Sequence, residues 1–406
     1  MKTENVEVLV MGAGPSGAVA ASILHQKGIK IKVVEREKFP RFVIGESLIP
    51  RCMENFEEAG FIEGVLAKNF EKKFGARFLR GDEVCNFDFS QKFSEGWDWT
   101  WQLPRAEFDK TLTDILESRG VEIEFETTVE NVVFNGNNSV TTVSNKDGKK
   151  EIHANFIIDS SGYGRVLPKL LNLDAPSSLD PMAAIFVHLE DQRRPQGVEG
   201  TQITFDVLTL KNWFWVIPFS ENRSSLGFVC PKEYLEAIDT GDNTETFRNI
   251  IRESDYYRER FDGLDFLFEP KKILAYSSAV KKLYGPGFAL TGNSAEFLDP
   301  VFSSGVCFAS ESAAMSAKLA ARQLRGETVD WEKEYEEYIM YGVNVFRSYV
   351  KTWYSGELQK LFFHPEVNED IRRKICSVLA GYVWDKENPF VAKHDRAVQA
   401  LAYTLH

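Results

Sequence analysis

Three glycines near the start of the chain, Gly12, Gly14 and Gly17, have the spacing G-x-G-x-x-G. The first permits a tight turn, the second lets a pyrophosphate approach the backbone, and the third lets a helix pack closely on a strand. Free N–H groups at the start of that helix would then face the phosphates. Glu35 follows about 20 residues later, where a carboxylate can accept hydrogen bonds from a ribose diol. This spacing predicts a dinucleotide-binding site.

A second candidate for chemistry is an amine in the stretch EKKFGARF, which contains Lys72 and Lys73. Adjacent lysines usually lie on a solvated surface, and this is our expectation for Lys72. A partly buried lysine has a lowered pKa because burial disfavours the charged form, and its neutral amine becomes accessible. The two residues by themselves leave open whether Lys73 decorates a surface or does chemistry.

The stretches NWFWVIP and DPVFSSGV add an aromatic face and a polar turn. Trp213 and Trp215 alternate along a predicted strand and therefore share one face, although ordinary core packing would also explain them. Consecutive backbone amides at Ser303, Ser304 and Gly305 could form a nest for an anion. The alternative for this turn is a loop that only caps the following helix.

These residues need elements that position them, and residues 5–35 have the order strand, glycine turn, helix, strand. The segment RAEFDKTLTDILESRG places its apolar residues on one helical face and ends at Gly120. Three β-rich runs separated by NGNN and KDG then predict a β-meander. Alternating β-rich runs from Met182 to Cys230 predict a second, antiparallel sheet, and residues 331–406 read as mostly helical.

The predicted fold class is mixed α/β (α+β). A Rossmann-type nucleotide-binding domain is interrupted by an antiparallel β-sheet substrate domain and followed by a helical C-terminal region. The predicted boundaries are 1–75, 105–180 and 281–330 for the nucleotide-binding domain, 76–104 and 181–280 for the substrate domain, and 331–406 for the helical region.

Composition and charge exclude several classes of protein. A chain of 406 residues suits two or three packed domains, and a net charge of −12 disfavours nucleic acid as a partner. No apolar run approaches the roughly 18 residues of a transmembrane helix, and the start of the chain lacks the pattern of a signal peptide. The five cysteines are scattered without a CxxC pair, which predicts reduced thiols, no metal site and a cytoplasmic location.

Two later stretches, FIIDSSG and LTGNSAEFLDPVFSSGV, resemble cofactor motifs of the p-hydroxybenzoate hydroxylase-type flavoproteins, and the resemblance covers residues 5–50, 100–165 and 285–325. It implies FAD, which the glycine motif alone does not distinguish from NAD. Asn293 stands where that family usually has aspartate, so it keeps a hydrogen bond but loses a charge. The FAD-binding residues predicted in this way are Gly12, Gly14, Pro15, Ser16, Gly17, Glu35, Arg36, Ser47, Arg105, Asp159, Gly292, Asn293, Asp299, Pro300, Gly305 and Val306.

A closer resemblance is to flavin-dependent halogenases of the phenol and pyrrole type. NWFWVIP is similar to their W-x-W-x-I-P signature, with Asn212 where glycine is usual. RFVIGESLIP followed by K-x-G-A is similar to the segment that carries their catalytic lysine, and Lys73 occupies that position because F-G-A follows it. The resemblance implies a substrate channel at Trp213, Trp215, Pro218 and Phe302, and the turn at Ser303, Ser304 and Gly305 suits a halide. Tryptophan halogenases have a glutamate at the apparent position of Phe302, so phenols or pyrroles are favoured over indoles.

The implied enzyme converts reduced FAD, O2 and halide to hypohalous acid, which Lys73 directs onto a phenolic or pyrrolic carbon. The substrate would be a small aromatic molecule, free or tethered to a carrier protein. A separate flavin reductase would supply reduced FAD, because the sequence has no second glycine motif. Three alternatives on the same fold remain: an FAD-dependent aromatic monooxygenase (hydroxylase), which would not need Lys73; a prenyl-chain (geranylgeranyl-type) reductase, which would need a long apolar tunnel; and a non-catalytic FAD-binding protein.

Overall fold

The glycine motif follows the first strand of a β-sheet in a computed structural model that describes residues 2–365 and 367–405. The strands of this first sheet are β1 (Lys2–Met11), β2 (Ile31–Val34), β7 (Ile123–Glu124), β8 (Thr128–Asn135), β9 (Asn138–Asn145), β10 (Gly148–Asp159), β18 (Tyr284–Gly285) and β19 (Phe288–Leu290). Strand β1 pairs in parallel with β2 and β10, and β10 pairs in parallel with β19. The side chains of Val8, Leu9 and Val10 are fully buried, as expected for a central strand of a parallel sheet.

The predicted β-meander is present as β8, β9 and β10, which pair antiparallel in sequence order. Strand β10 is longer than the meander requires. Its last residues, Ile157 to Asp159, extend beyond the end of β9 and lie between β1 and β19. One strand therefore joins the meander to the nucleotide-binding core.

The second sheet carries the aromatic NWFWVIP stretch. Its strands are β4 (Gly75–Arg80), β5 (Glu83–Asp88), β12 (Met182–Glu190), β13 (Thr204–Val207), β14 (Trp213–Pro218), β15 (Arg223–Pro231) and β16 (Lys271–Leu274). The sheet was predicted to be antiparallel, but β13 and β4 are parallel neighbours. Parallel neighbours need a long connection, and here the chain passes through the first sheet between β5 and β12. This placement joins residues 75–88 to the second sheet.

A separate ribbon of β3 (Glu71–Lys73) and β6 (Thr100–Gln102) holds the lysine pair. A second short ribbon pairs β11 (Asp174–Ala175) with β17 (Ala279–Val280). In the first ribbon Lys73 lies directly opposite Thr100, so their side chains share one face. That face is buried, because both residues are almost inaccessible to solvent.

The α-helices are α1 (Pro15–Gln26), α2 (Arg51–Glu58), α3 (Ile62–Leu66), α4 (Arg105–Ser118), α5 (Val166–Leu170), α6 (Val198–Thr201), α7 (Lys232–Ile238), α8 (Asn243–Glu253), α9 (Asp255–Phe261), α10 (Gly305–Leu324), α11 (Glu337–Ser355), α12 (Glu357–Phe363), α13 (Glu369–Leu379), α14 (Pro389–Ala392) and α15 (Ala397–Thr404). Helix α1 packs against α10, and α11 to α15 form the predicted helical C-terminal region, apart from Glu366 and His406, which lie outside the described residues. Helix α10 begins at Gly305, so its N-terminus follows Ser303 and Ser304 directly. No helix in the described part of the chain is long and apolar enough to span a bilayer.

Candidate active site

A cavity of about 550 Å³ lies between the two sheets and is lined by residues from both. That volume falls in the range of roughly 300–1,000 Å³ typical of cofactor and ligand sites. The predicted binding residues on its wall are Gly12, Gly14, Pro15, Ser16, Glu35, Arg36, Ser47, Arg105, Gly292, Asn293, Pro300, Ser303, Gly305, Val306, Trp213 and Trp215. The fold thus brings most of the candidate residues together around one space.

The glycine turn is built as its spacing predicts. Gly12 has a φ of +97°, and a Cβ on it would lie 2.4 Å from the Ser160 carbonyl oxygen. A Cβ on Gly17 would lie 1.9 Å from the Gly12 carbonyl oxygen, so neither position accepts a side chain. Helix α1 has no side-chain cap and no acidic residue in its first turn, which leaves its N–H groups directed at the cavity. Gly17 does not line the cavity and acts through helix packing.

Glu35 stands just after β2, at the cavity wall, with both carboxylate oxygens engaged. One oxygen accepts from the Ala13 N–H at 2.8 Å and the other from the Glu37 N–H at 2.9 Å. A carboxylate has about four lone-pair sites, so Glu35 can still accept from a ribose hydroxyl. The adjacent Arg36 is exposed and pairs with Glu37.

Arg105 begins α4 and is buried with its guanidinium at the cavity wall. It donates to Asp109 through two bonds of 2.8 and 3.0 Å, and more weakly to the carbonyls of Ile44 and Gly45, both at 3.3 Å. Arg41 donates to the same aspartate at 2.8 Å. The aspartate fixes both guanidinium groups, and Arg105 keeps donor capacity for an anion or a carbonyl in the cavity.

Asp159 ends β10 but does not lie on the cavity wall. Its carboxylate accepts from the Ser161 N–H at 2.9 Å and the Leu167 N–H at 2.7 Å, so it holds the following loop in place. Ser160 and Ser161 line the cavity instead. The DSSG segment thus reaches the cavity through its serines, whereas the Asp159 carboxylate is hydrogen-bonded within the protein.

The Asp-Pro turn is held in the same way. Asp299 accepts from the Val301 N–H at 2.9 Å, from the Tyr276 hydroxyl at 2.8 Å and from the Tyr354 hydroxyl at 3.0 Å. Burial raises the pKa of the Asp299 carboxyl to about 6, and these hydrogen bonds partly oppose that rise. Pro300 reaches the cavity whereas Asp299 does not. Asp299 therefore shapes the turn and leaves contact with a ligand to its neighbours.

The amides predicted to bind halide are not equivalent. Ser303 has a φ of +55°, and its N–H donates to the Pro300 carbonyl at 3.0 Å, so it is not available to an anion. Ser304 and Gly305 lie at the start of α10, which has no side-chain cap. The first N–H groups of a helix lack intrahelical acceptors, so these two amides fit an anion better than that of Ser303.

Lys73 is 1% exposed, and its amine donates to the Ser47 hydroxyl and the Leu48 carbonyl, both at 2.8 Å. Burial lowers the pKa of Lys73 to about 7, and the electrostatic interaction with Cys52 partly opposes this. Lys72 is exposed, with its amine 4.6 Å from the centre of the Trp99 ring. The two adjacent lysines therefore have opposite environments.

Lys73 faces a second, small cavity of about 10 Å³, room for about one water molecule. Its wall is otherwise apolar apart from Ser303 and consists of Ile49, Ala76, Phe78, Phe89, Phe205, Val301, Phe302 and Leu379. Phe205 and Ser303 also line the large cavity, so they form a partition between the two spaces. The lysine thus lies next to the large cavity, behind a thin wall.

The family model described as FAD binding domain matches residues 5–259 of this chain. The chain belongs to the FAD-binding domain family. The predicted FAD cofactor and α/β flavoprotein fold are thereby confirmed. The donor set of the cavity fits FAD independently: two uncapped helix N-termini suit phosphate and flavin oxygens, and Glu35 and Arg105 supply an acceptor and donors at the wall.

Comparisons with known proteins show that this FAD-binding chain is similar to a solved flavoprotein and to halogenases. A solved flavoprotein/dehydrogenase from Cytophaga hutchinsonii is 52% identical, with a TM-score of 0.96 over 98% of both chains. The 1H-pyrrole-2-carbonyl-(peptidyl-carrier protein) chlorinase of Pseudomonas fluorescens is 28% identical, across 95% of this chain and 91% of the relative. The flavin-dependent brominase Bmp2 shares the fold at 22% identity, with a TM-score of 0.87 over 98% of this chain and 99% of that one. The predicted resemblance to flavin-dependent halogenases is confirmed.

The predicted channel residues divide between the FAD cavity and the small cavity. Trp213 and Trp215 line the FAD cavity with ring centres 6.1 Å apart, and the Trp213 indole N–H donates to the Tyr354 hydroxyl at 3.0 Å. Phe302 lines the small cavity and packs on aromatic side chains of α11. Pro218 reaches neither; its carbonyl accepts from the Gln102 amide at 2.9 Å.

Sequence reasoning missed the pair of Glu46 and His188. Glu46 is 1% exposed on the wall of the FAD cavity, 2.6 Å from the His188 imidazole, and its second carboxylate oxygen has no partner among the described residues. The GES segment gave a signal for Glu46 because it adjoins Ser47. No sequence signal marked His188, which lies on β12 of the second sheet, 142 residues from Glu46.

Proposed function

We propose that the protein is an FAD-dependent halogenase in which Lys73 directs hypohalous acid onto a phenolic or pyrrolic substrate. The observation that carries this proposal is the Lys73 amine, buried next to the partition of the FAD cavity with neutral hydrogen-bond partners. Its pKa of about 7, lowered by burial, makes about half of the amine neutral at neutral pH. Halogenase relatives over nearly the whole chain support the same assignment.

Bound FAD would supply the oxidation of halide to hypohalous acid. Gly12, Gly14 and the start of α1 would hold its pyrophosphate, and the turn from Pro300 to Val306 would face the flavin. The amides of Ser304 and Gly305 are our assignment for the halide, because the start of α10 favours negative charge.

The neutral Lys73 amine can hydrogen-bond hypohalous acid or take the halogen from it. In the second case an N–X bond forms, the HO–X bond breaks and water leaves. The aromatic carbon then takes the halogen from nitrogen, and the proton lost by the ring restores the N–H. Apolar walls around the amine keep out bulk water, which would otherwise consume the oxidant.

The substrate we propose is a small, electron-rich aromatic. The cavity beside Lys73 is too small for a ring in this conformation, so a substrate must displace a wall residue such as Phe302. The chlorinase relative acts on a pyrrole carbonyl held by a peptidyl carrier protein, which makes a carrier-tethered pyrrole a substrate to test beside free phenols. A separate flavin reductase would supply reduced FAD.

A second candidate is a flavin-dependent dehydrogenation, since the relative at 52% identity is described as a flavoprotein/dehydrogenase. It would reduce bound FAD with substrate electrons and would need neither halide nor O2. The two functions make opposite predictions for a halide-free reaction. The aromatic hydroxylase differs from both, because it requires O2 but is indifferent to halide.

The test supplies purified protein with reduced FAD, O2, chloride or bromide, and a panel of phenols and carrier-tethered pyrroles, and measures product masses. We expect halide-dependent halogenated product, lost in Lys73→Ala with FAD binding and O2 consumption retained. Lys72→Ala is the matched control and should be unchanged, because that amine is exposed. Normal halogenation by Lys73→Ala would refute the lysine assignment. Hydroxylated product without halide would replace the halogenase by a hydroxylase. Bleaching of oxidised FAD by substrate alone, in a separate reaction without O2, would replace it by a dehydrogenase.

A further inference from the structure

We propose that the Ser47 hydroxyl is a positioning residue for Lys73 and carries protons between its amine and the FAD cavity. This inference rests on the proposed function and adds to it the route by which the lysine exchanges protons. Lys73 faces the small cavity. In the proposed function its amine must nevertheless exchange protons with the FAD cavity, where halide is oxidised.

Ser47 is the polar residue that contacts the Lys73 amine and also lines the FAD cavity. Its side chain is 6% exposed and lies on the wall of the FAD cavity, and its oxygen accepts from the Lys73 amine at 2.8 Å. The amine has its other bond, also 2.8 Å, to the Leu48 carbonyl, which cannot pass a proton onward. A hydroxyl that accepts from the amine has its own hydrogen free to point elsewhere. Within residues 2–365 and 367–405 no protein acceptor for that hydrogen is found.

The backbone around Ser47 holds this contact rigidly. The Leu48 N–H donates to the Trp101 carbonyl at 3.0 Å, and the Leu103 N–H donates to the Glu46 carbonyl at 2.8 Å. Ser47 itself bridges to Gln102 in an antiparallel arrangement. The loop therefore lies along one edge of β6, and β3, which carries Lys73, pairs with the other edge. One strand fixes both partners of the hydrogen bond.

Ser303 lines both cavities, but among the described residues no hydrogen bond joins it to the Lys73 amine. The titratable group facing it is the Cys52 thiol, from α2, and the Phe89 ring centre lies 5.6 Å away. The walls from Phe302 and Leu379 are apolar. A proton leaving Lys73 therefore passes to Ser47 Oγ while the hydrogen of Ser47 passes to an acceptor in the FAD cavity. The amine becomes neutral and Ser47 returns to a hydroxyl, so no charge is left on the serine.

The experiment uses FAD-loaded protein with 15N-labelled lysine and the variants Ser47→Ala and Ser47→Thr. NMR measures the solvent exchange rate of the Lys73 Nζ hydrogens, with Lys73→Arg to assign the signal, and the pH at which the signal titrates. We expect exchange at least tenfold slower in Ser47→Ala and restored in Ser47→Thr. The exposed Ser90 provides Ser90→Ala as a control, which should match the unmodified protein. All samples contain FAD in saturating excess, so that a weaker FAD affinity of Ser47→Ala does not enter the comparison.

An unchanged exchange rate in Ser47→Ala would overturn the proton route. A titration that moves up toward the ordinary lysine value would also overturn it, since Ser47 would then only keep the amine buried. These readouts need no substrate, so they decide the proposal even if no halogenated product is found. If the unmodified protein does halogenate, Ser47→Ala should reduce the rate at pH 7 at least tenfold while hypohalous acid is still formed.

Discussion

Replacing Lys73 by methionine should make the protein more stable at pH 6, although it removes two hydrogen bonds. A lysine pKa of about 7 in place of 10.5 means that burying the ammonium costs about 5 kcal/mol at low pH. The variant leaves the Ser47 hydroxyl and the Leu48 carbonyl without the amine, which costs about 1 kcal/mol each. Methionine has a similar length and no charge to bury. The expected net gain is about 3 kcal/mol.

The pH dependence of this gain is the sharper part of the prediction. Between the folded and unfolded pKa values the unfolded chain binds more protons at Lys73, so the stability of the unmodified protein rises with pH. The rise is about 1.4 kcal/mol per pH unit and is absent in Lys73→Met. The advantage of the variant should therefore shrink above pH 7 and disappear near about pH 9.

Melting temperatures with a fixed excess of FAD, measured by calorimetry from pH 6 to 9.5, test this. For a chain of this length about 3 kcal/mol corresponds to roughly 3–4 °C. Lys72→Met is the matched control and should shift the melting temperature little at any pH, since that side chain is exposed. A difference between Lys73→Met and the unmodified protein that is independent of pH would refute the buried neutral amine. Destabilisation at pH 6 would refute it as well.

Three further substitutions test the frame around the lysine. Gly17→Ala should yield protein without bound flavin, because its Cβ would lie 1.9 Å from a carbonyl oxygen. Gly136→Ala strains the backbone at a φ of +60° but has open space around its Cβ, so it should keep the flavin absorbance. Tyr354→Phe should cost about 1–3 kcal/mol in unfolding free energy, because the Trp213 indole N–H loses its acceptor and Asp299 a donor; Tyr403→Phe, at an 88% exposed position, should cost nothing measurable. Phe205→Ala should join the two cavities at a cost of about 3–5 kcal/mol, and it should increase the hypohalous acid captured by a scavenger in solution.

The local parts of this site were predictable because their physics is local. The glycine turn, the strand that follows α1 and the alternation of Trp213 and Trp215 depend on neighbouring residues, and the structure has them as the sequence predicts. The β13–β4 pairing was not predictable, because it joins segments more than a hundred residues apart. The same is true of Glu46 and His188, which lie 142 residues apart in the chain.

The orientation of two carboxylates, those of Asp159 and Asp299, could not be read from the sequence. Asp159 and Asp299 occur in the segments that surround the FAD cavity, and proximity along the chain suggested contact with FAD. In the structure each accepts hydrogen bonds from the N–H groups just after it, a role that aspartate commonly has in turns. Which way such a side chain points depends on one backbone turn, and a motif does not record that direction.

Lys73 differs from Lys32, a second buried lysine, in the charge of its hydrogen-bond partners. Lys32 is also buried, at 2% exposure, and it forms ion pairs with Glu4, Glu122 and Glu124. Burial alone would lower the pKa of Lys32, but the carboxylates outweigh it and raise the pKa. Lys32 therefore has a structural role, because neighbouring carboxylates neutralise its positive charge. Among the described residues Lys73 has only a hydroxyl and a carbonyl as hydrogen-bond acceptors, so its burial costs stability that methionine would not cost. An amine held at such a cost beside a flavin cavity is best explained by chemistry that needs its neutral form.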